Sequence, residues 1–323
     1  MIGQVLIAFA AGCASAAMFA SIVSGALISL VLLYLSPLPL MVVAIGWGPL
    51  WAATSGIVAA IGLGATFGFA DFVAYAIAVA LPACWLGRLS LLGRPAGNGT
   101  APHEAAANAT PVLEWYPLGR ILLWMTSFST LATGAALLTL GSDATAIAAT
   151  LRNFLMRVLA FDGPLSADND RWIDAMVRLA PAAAAIVAML TLTLNLWLAA
   201  RVAATSGRLP RPWPDLKTAA LPPMTLVALC VTTAFCFSGG LLAMLAKVAT
   251  SALMMAYALT GFAVLHTLTL PLKSRAFWLG SAYAFVVVFG WPMLAMSALG
   301  LADAVFGLRR RYLRTRRPPL PTP

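Results

Sequence analysis

Long uncharged runs alternate along this chain with short clusters of arginine, and the runs predict its elements. Val5 to Leu35 is apolar throughout. It is long enough for one tilted membrane helix, since about 20 residues suffice to span a bilayer. Ser36 to Gly68 continues without a charge but is broken by Pro37, Pro39 and Pro49. Proline lacks an N–H and clashes with the preceding turn, so it ends or kinks a helix. The pattern predicts a short apolar segment, Leu38 to Gly48, and then a helix from Pro49 to Gly68. Pro49 suits the first helical position. At about 1.5 Å per residue the short segment rises roughly 16 Å, against a hydrocarbon core of about 30 Å. It is expected to be a half-helix or a re-entrant piece buried in protein.

Further apolar runs follow at Phe72 to Leu92, Leu118 to Leu140, Pro181 to Ala200, Leu221 to Phe237, Leu241 to Leu270 and Phe277 to Gly300. Pro95 to Pro111 breaks the series. It is polar, Gly/Pro/Ala-rich and without period, which predicts a flexible cytoplasmic linker. Two Asn-x-Thr triplets within it, at Asn98 and Asn108, match the glycosylation pattern, but no use of them is expected on that side. Glu114–Trp115–Tyr116–Pro117 places aromatics at headgroup level. Asp143 to Ala180 mixes arginines with aspartates and does not span. Ile147, Leu151, Phe154, Leu155 and Val158 recur at helical spacing, which predicts an amphipathic helix on the membrane surface and a second short one after Asp170. The expected organisation is a bundle over 1–94, a linker over 95–117, a second bundle over 118–308 with the external segment 143–180, and a basic cytoplasmic tail over 309–323.

Small residues form two rows at every fourth position: Gly12, Ala16, Ala20 and Ser24, and Gly56, Ala60, Gly64 and Gly68. In lipid, hydrophobicity does not drive helices together, and such rows let backbones approach closely. The two rows are expected to face each other.

Composition makes lipid the solvent. Hydrophobic residues are 62% of the 323, charged residues only 9%, and the mean hydropathy is +0.92. A soluble domain carries about 25% charged residues. The runs do not alternate with period two, so a strand barrel is excluded, and helices remain as the way to satisfy the backbone in lipid. The fold class is therefore all-α: a polytopic transmembrane helix bundle of about 8–10 membrane segments, some short or broken.

The net charge is +10. Its arginines lie in short loops and one tail, which is the positive-inside pattern and not a nucleic-acid surface. Arg88–Arg94, Arg201–Lys217, Lys273–Arg275 and Arg309–Arg317 are all expected in the cytoplasm. An even number of crossings must then separate consecutive stretches. Between Arg275 and Arg309 this requires two short helices with their corner at Trp291–Pro292. The N-terminus lacks a basic region, so no cleavable signal is expected. The expected location is a bacterial inner membrane with a cytoplasmic C-terminus.

Candidate chemistry is sparse. Cys13, Cys84, Cys230 and Cys236 lie in apolar runs without a C-x-x-C pair and read as small hydrophobes. Enzyme signatures such as H-E-x-x-H, G-x-x-x-x-G-K-[ST] and G-x-S-x-G are absent, so no catalytic residue is named and no cofactor is expected. Asp168-x-Asp170 with Asp174 fits no calcium loop. His266 has only His103 for company, so no metal site is expected. Ionisable groups inside the membrane are costly and draw a functional reading. Lys247, about two turns into its helix near the external side, either snorkels or binds an anionic group. Asp71 begins a helix on the same expected side, where it suits the helix dipole. If the two meet, they pair or flank an external cavity. Asn195 suits an interhelical hydrogen bond. Lys247, Asp71, Trp47 and Asn195 form the candidate substrate-binding set.

Five stretches carry a resemblance: S-P-L-P-L-M-V-V-A-I-G-W-G, E-W-Y-P-L-G-R, P-W-P-D-L, T-G-F-A-V-L-H and the closing G-L-A-D-A-V-F-G-L-R-R-R. Through them the chain resembles, over nearly its whole length, the YybS-like predicted membrane proteins, a bacterial family without an established function. Thr260 stands where relatives often have Gln. The part to about Leu92 is also similar to the membrane-embedded substrate-binding subunits of energy-coupling-factor vitamin transporters, which share a Pro-then-Gly-rich short helix. Two functions are expected. One is a small-molecule carrier or transporter substrate-binding subunit, its site between Leu38–Gly48, Phe277–Gly300 and the helix of Lys247, as discontinuous helices line sites in transporters. The other is a non-transporting scaffold that recruits membrane or envelope partners. A lipid- or peptide-modifying enzyme has no nucleophile–base pair to support it. The expected partners are the lipid bilayer, a membrane protein and a small-molecule ligand.

Overall fold

Prolines and glycines decide how the apolar runs are cut into helices. The computed structural model describes residues 2–95, 113–159, 167–213, 215 and 219–315. The linker from 96 to 112, with Asn98, His103 and Asn108, lies outside the described residues, as do Lys217 and the end of the tail from 316. The chain divides into two units, Met1–Ile121 with Thr191–Pro214, and Leu122–Leu190 with Asp215–Pro323.

In the first unit the run from Val5 to Leu35 is two helices, not one. α1 (Ile2–Ala20) ends in a 3-10 turn, Ser21–Ser24, and Gly25 at φ +68° starts a new direction. Ser24 and Ser29 hydroxyls bond at 2.6 Å across the turn into α2 (Leu27–Leu35). α3 (Pro37–Gly46) then continues through Ser36, which keeps helical angles, φ −57° and ψ −29°. Leu38–Gly48 is therefore no isolated half-helix. It is the second half of a 20-residue run, Leu27–Gly46, long enough to span. Proline is tolerated in a first turn, where its N–H would be unbonded anyway. Two side chains supply donors at the joint. Asn195 Nδ2 donates to the Tyr34 carbonyl at 2.7 Å, and Ser15 Oγ donates to the Ser36 carbonyl at 2.6 Å.

α4 (Pro49–Phe67) starts after Gly48 at φ +104° and ends at Gly68 at φ +113°, beside its expected bounds. α5 (Phe69–Tyr75) passes through a π turn, Ala76–Ala80, into α6 (Leu81–Ser90). The π turn precedes Pro82, which has no N–H for an ordinary helical bond. The small-residue rows face each other only in part: Ala60 packs with Ala16 and Ala20, but Gly56 and Gly64 turn to other neighbours. A Cβ at Gly12 would lie 2.5 Å from the Ser55 carbonyl, so α1 meets α4 on the Ser55–Val58 side. Gly56 faces Ala80 and Leu40, and Gly64 faces Phe72. Gly68 serves as the turn. Ala59, Ala60, Leu63, Tyr75 and Val79 pack under Ala16 and Ala20. Two short strands, β1 (Gly93–Pro95) and β2 (Leu113–Trp115), pair antiparallel with Arg94 opposite Glu114. The salt bridge between those two side chains is 2.7 Å long.

α7 (Leu118–Leu140) begins in the first unit and runs into the second. α8 (Ala144–Val158) is capped by Asp143, whose carboxylate accepts from the backbone N–H groups of Thr145 and Ala146, both at 2.8 Å. Ile147 of α8 packs with Leu137, Ala185, Val248 and Ala252. α9 (Ala167–Thr205) is one helix through Pro181, so the short helix expected after Asp170 is fused to the span that follows. Arg152 of α8 bonds both Asp170 and Asp174 on the first turns of α9. Only the last part of α9, from Thr191, belongs to the first unit. The division thus does not follow the polar linker: Asn195 bonds the Tyr34 carbonyl, Arg208 lies over Trp47 and Arg211 over Trp115, all within the first unit.

The second unit is completed by α10 (Met224–Phe235), α11 (Gly240–Leu268), α12 (Arg275–Phe289), α13 (Pro292–Phe306) and α14 (Leu308–Thr315). Gly290 at φ +70° and Trp291 form the expected corner before Pro292. Seven described helical runs are long and apolar enough to cross a membrane, and α10, α12 and α13 are shorter apolar helices. Ile61, Leu131, Val227 and Val287 are exposed, as lipid-facing side chains are. The chain is an all-α, multi-pass membrane protein.

Candidate functional site

Two glycines position the polar groups of the second unit. A Cβ on Gly261 of α11 would collide with the Met296 carbonyl, and one on Gly300 of α13 would collide with the Tyr257 carbonyl. The two helices therefore touch backbone to backbone, the contact that small residues permit in lipid. Ser297 Oγ donates to the Met254 carbonyl at 3.0 Å. The pairs Met254–Ser297 and Tyr257–Gly300 advance together along both helices, so α11 and α13 run parallel, and α12, which joins them in the chain, runs the opposite way.

A cavity of about 440 Å³ opens where these helices meet the start of α10 and the start of α14. Leu221, Pro222 and Leu226 make an apolar wall. Tyr257 and Thr260 face it from α11, and Asp303, Arg309 and Arg310 from α13 and α14. The hydroxyl groups are held in place. The Tyr257 hydroxyl and Thr225 Oγ1 are 2.9 Å apart, Thr225 Oγ1 donates to the Pro222 carbonyl at 2.7 Å, and Thr260 Oγ1 donates to the Tyr257 carbonyl at 2.8 Å.

The Asp303–Arg309 pair forms because the chain turns sharply between the two residues. Gly307 adopts φ +65° and donates its N–H to the Asp303 carbonyl at 2.8 Å. The turn brings Arg309 back over Asp303. Asp303 Oδ1 accepts the Arg309 backbone N–H at 2.8 Å, and Oδ2 accepts Nε at 2.8 Å and Nη2 at 2.7 Å. The side chains are 9% and 6% exposed, so this is a buried, mutually neutralised pair. Arg310 lies against Gly307 at the cavity rim and is exposed. Among the described residues no carboxylate pairs with it.

The sequence-predicted set is divided. Asn195, fully buried, serves the α2–α3 joint and not this cavity. Trp47 ends α3 in the first unit beneath the Arg208 guanidinium, 4.4 Å from its ring centre. Asp71 lies in the first turn of α5, half-buried. Lys247 is in the other unit, exposed on α11, and does not line the cavity. Leu38–Gly48 does not line it either. His266 bonds the Tyr283 hydroxyl at 2.9 Å near the end of α11. Sequence reasoning did not single out Asp303, Arg309, Tyr257 or Thr260 as site residues. One signal was available: Asp303 is the sole charge in Pro292–Phe306 and stands six residues before Arg309. Comparison of the chain with family models, with curated proteins and with solved structures returns no match.

Proposed function

We propose that this membrane protein is a small-molecule carrier or the substrate-binding subunit of a transporter, in a bacterial inner membrane with its C-terminus in the cytoplasm. The observation that carries the reading is the cavity beside Asp303 and Arg309. Its volume falls within the roughly 300–1,000 Å³ of ligand pockets, and its apolar wall with a few convergent polar groups fits their usual lining. Arg310 at the rim favours a ligand with an apolar body and an anionic group. Two stretches that carry the YybS-like resemblance, T-G-F-A-V-L-H and G-L-A-D-A-V-F-G-L-R-R-R, supply Thr260, Asp303, Arg309 and Arg310 to this cavity.

Thermal-shift measurements on the purified protein against a broad metabolite panel test the reading. At least one amphipathic anion is expected to raise Tm, and Arg310→Gln or Thr260→Val to remove that rise. No shift with any compound, or a shift that both variants retain, rejects it. A second reading, a membrane scaffold, is favoured by the exposed apolar Phe154 and Val158 of α8. Crosslinking from these positions in native membranes then returns a stoichiometric protein partner; its failure removes this alternative.

A further inference from the structure

The arginines of the first unit gather where several of its helices end. Arg208 lies over Trp47 at the end of α3, at 4.4 Å, and Arg211 lies over Trp115 of β2, at 5.9 Å. Arg201, near the end of α9, lies 5.6 Å from Trp197 and 5.0 Å from Trp213. Arg211 Nη1 also reaches the Ser90 carbonyl at 3.4 Å, which brings it to the last turn of α6, where Arg88 stands. Arg94 is matched by Glu114. Arg201, Arg208 and Arg211 are not: among the described residues no carboxylate pairs with them. Arg201 and Arg208 are exposed. Arg211 is half-buried, and burial lowers its pKa below the ordinary guanidinium value with no anion to offset the cost.

An indole face fixes a guanidinium plane and leaves its N–H edge outward, in the fork geometry that takes two phosphate oxygens. The face lies where the apolar runs Leu27–Gly46 and Phe69–Ser90 end, which is headgroup depth for a spanning helix. We propose that this arginine–tryptophan face binds the phosphate headgroup of an anionic lipid. Basic clusters at the cytoplasmic ends of spanning helices recognise such headgroups, and the half-buried Arg211 gains most from an anion at this face. The inference is independent of the cavity in the second unit.

The test uses the full-length protein in nanodiscs of phosphatidylcholine alone or with phosphatidylglycerol, read by Tm and by lipid retained in native mass spectrometry. The anionic lipid is expected to raise Tm by several degrees and to be retained at least tenfold over phosphatidylcholine. Arg208→Gln with Arg211→Gln is expected to abolish both effects. The pair Arg208→Lys and Arg211→Lys keeps the charge if the first variant does not fold, and is expected to lose most of the retention with the fork geometry. Arg157→Gln with Arg178→Gln, in the second unit, is expected to change neither. Equal Tm in the two bilayers, retention that survives the lysine variant, or equal stabilisation by inorganic phosphate in phosphatidylcholine overturns the proposal.

Discussion

Single residues with no room to change carry much of the second unit. Gly300 and Gly261 leave no space for a methyl group between α11 and α13, whereas Gly280 has nothing within 4 Å of its missing Cβ. Gly300→Ala is expected to lower stability by about 1–3 kcal/mol, and Gly280→Ala to raise it slightly or leave it unchanged. Denaturation of the detergent-solubilised protein separates the two. Asp303→Asn removes the carboxylate that neutralises the buried Arg309 and is expected to cost about 3–5 kcal/mol; replacing both residues with leucine is expected to cost less than the single change. Asp143 gives a pH dependence of known sign. The Thr145 hydroxyl and the amides of Ala146 and Thr145 hold its carboxylate below the ordinary value. That stabilisation is fully present above the unfolded pKa and is lost as pH falls through the lower folded pKa. Amide exchange at the start of α8 is expected to accelerate at acidic pH beyond the intrinsic rate, and Asp143→Ala to be accelerated already at neutral pH.

At the scale of elements, the chain tolerates breaks where side chains replace lost backbone bonds. The α2–α3 joint keeps its direction through Pro37 and Pro39 because Asn195 and Ser15 supply donors from other helices. Asn195→Leu removes one of them. The expected loss is about 0.5–2 kcal/mol, the range of interhelical hydrogen bonds in membranes, measured as a lower Tm. α9 continues through Pro181, and its first turns are held from outside by Arg152. α12 and α13 are each too short to cross comfortably, at roughly 22 Å for 15 residues, and Gly290 and Trp291 make them a hairpin.

For the molecule as a whole, the decisive quantity is how many times the chain crosses between its arginine clusters. Parallel α11 and α13, joined by the oppositely directed α12, bring Arg275 and Arg309 to one end of the second unit. Single-cysteine variants at Lys273 and Tyr312 are expected to react from the same side of the membrane, the cytoplasmic one. Labelling from opposite sides rejects this topology.

Local chemistry made part of this legible before any coordinates. The uncharged runs named lipid as the solvent, Pro49 and Gly68 bounded a helix, and charge balance required a corner at Trp291–Pro292. Each of those statements rests on neighbours in the chain, or on composition, and needs no knowledge of what packs where. The Gly12 and Gly56 rows were visible, but which of their members meet was not, because a bare face accepts many backbones and only packing chooses one. Asp303 and Arg309 were visible as charges, but their pairing depends on the left-handed turn at Gly307. The cavity is lined from α10, α11, α13 and α14, and its shape depends on contacts such as Gly261 against Gly300, which no periodicity encodes. Sequence by itself determined the solvent, the helices and their ends; the tertiary structure alone decided which buried polar groups meet, since those meetings join residues far apart in the chain.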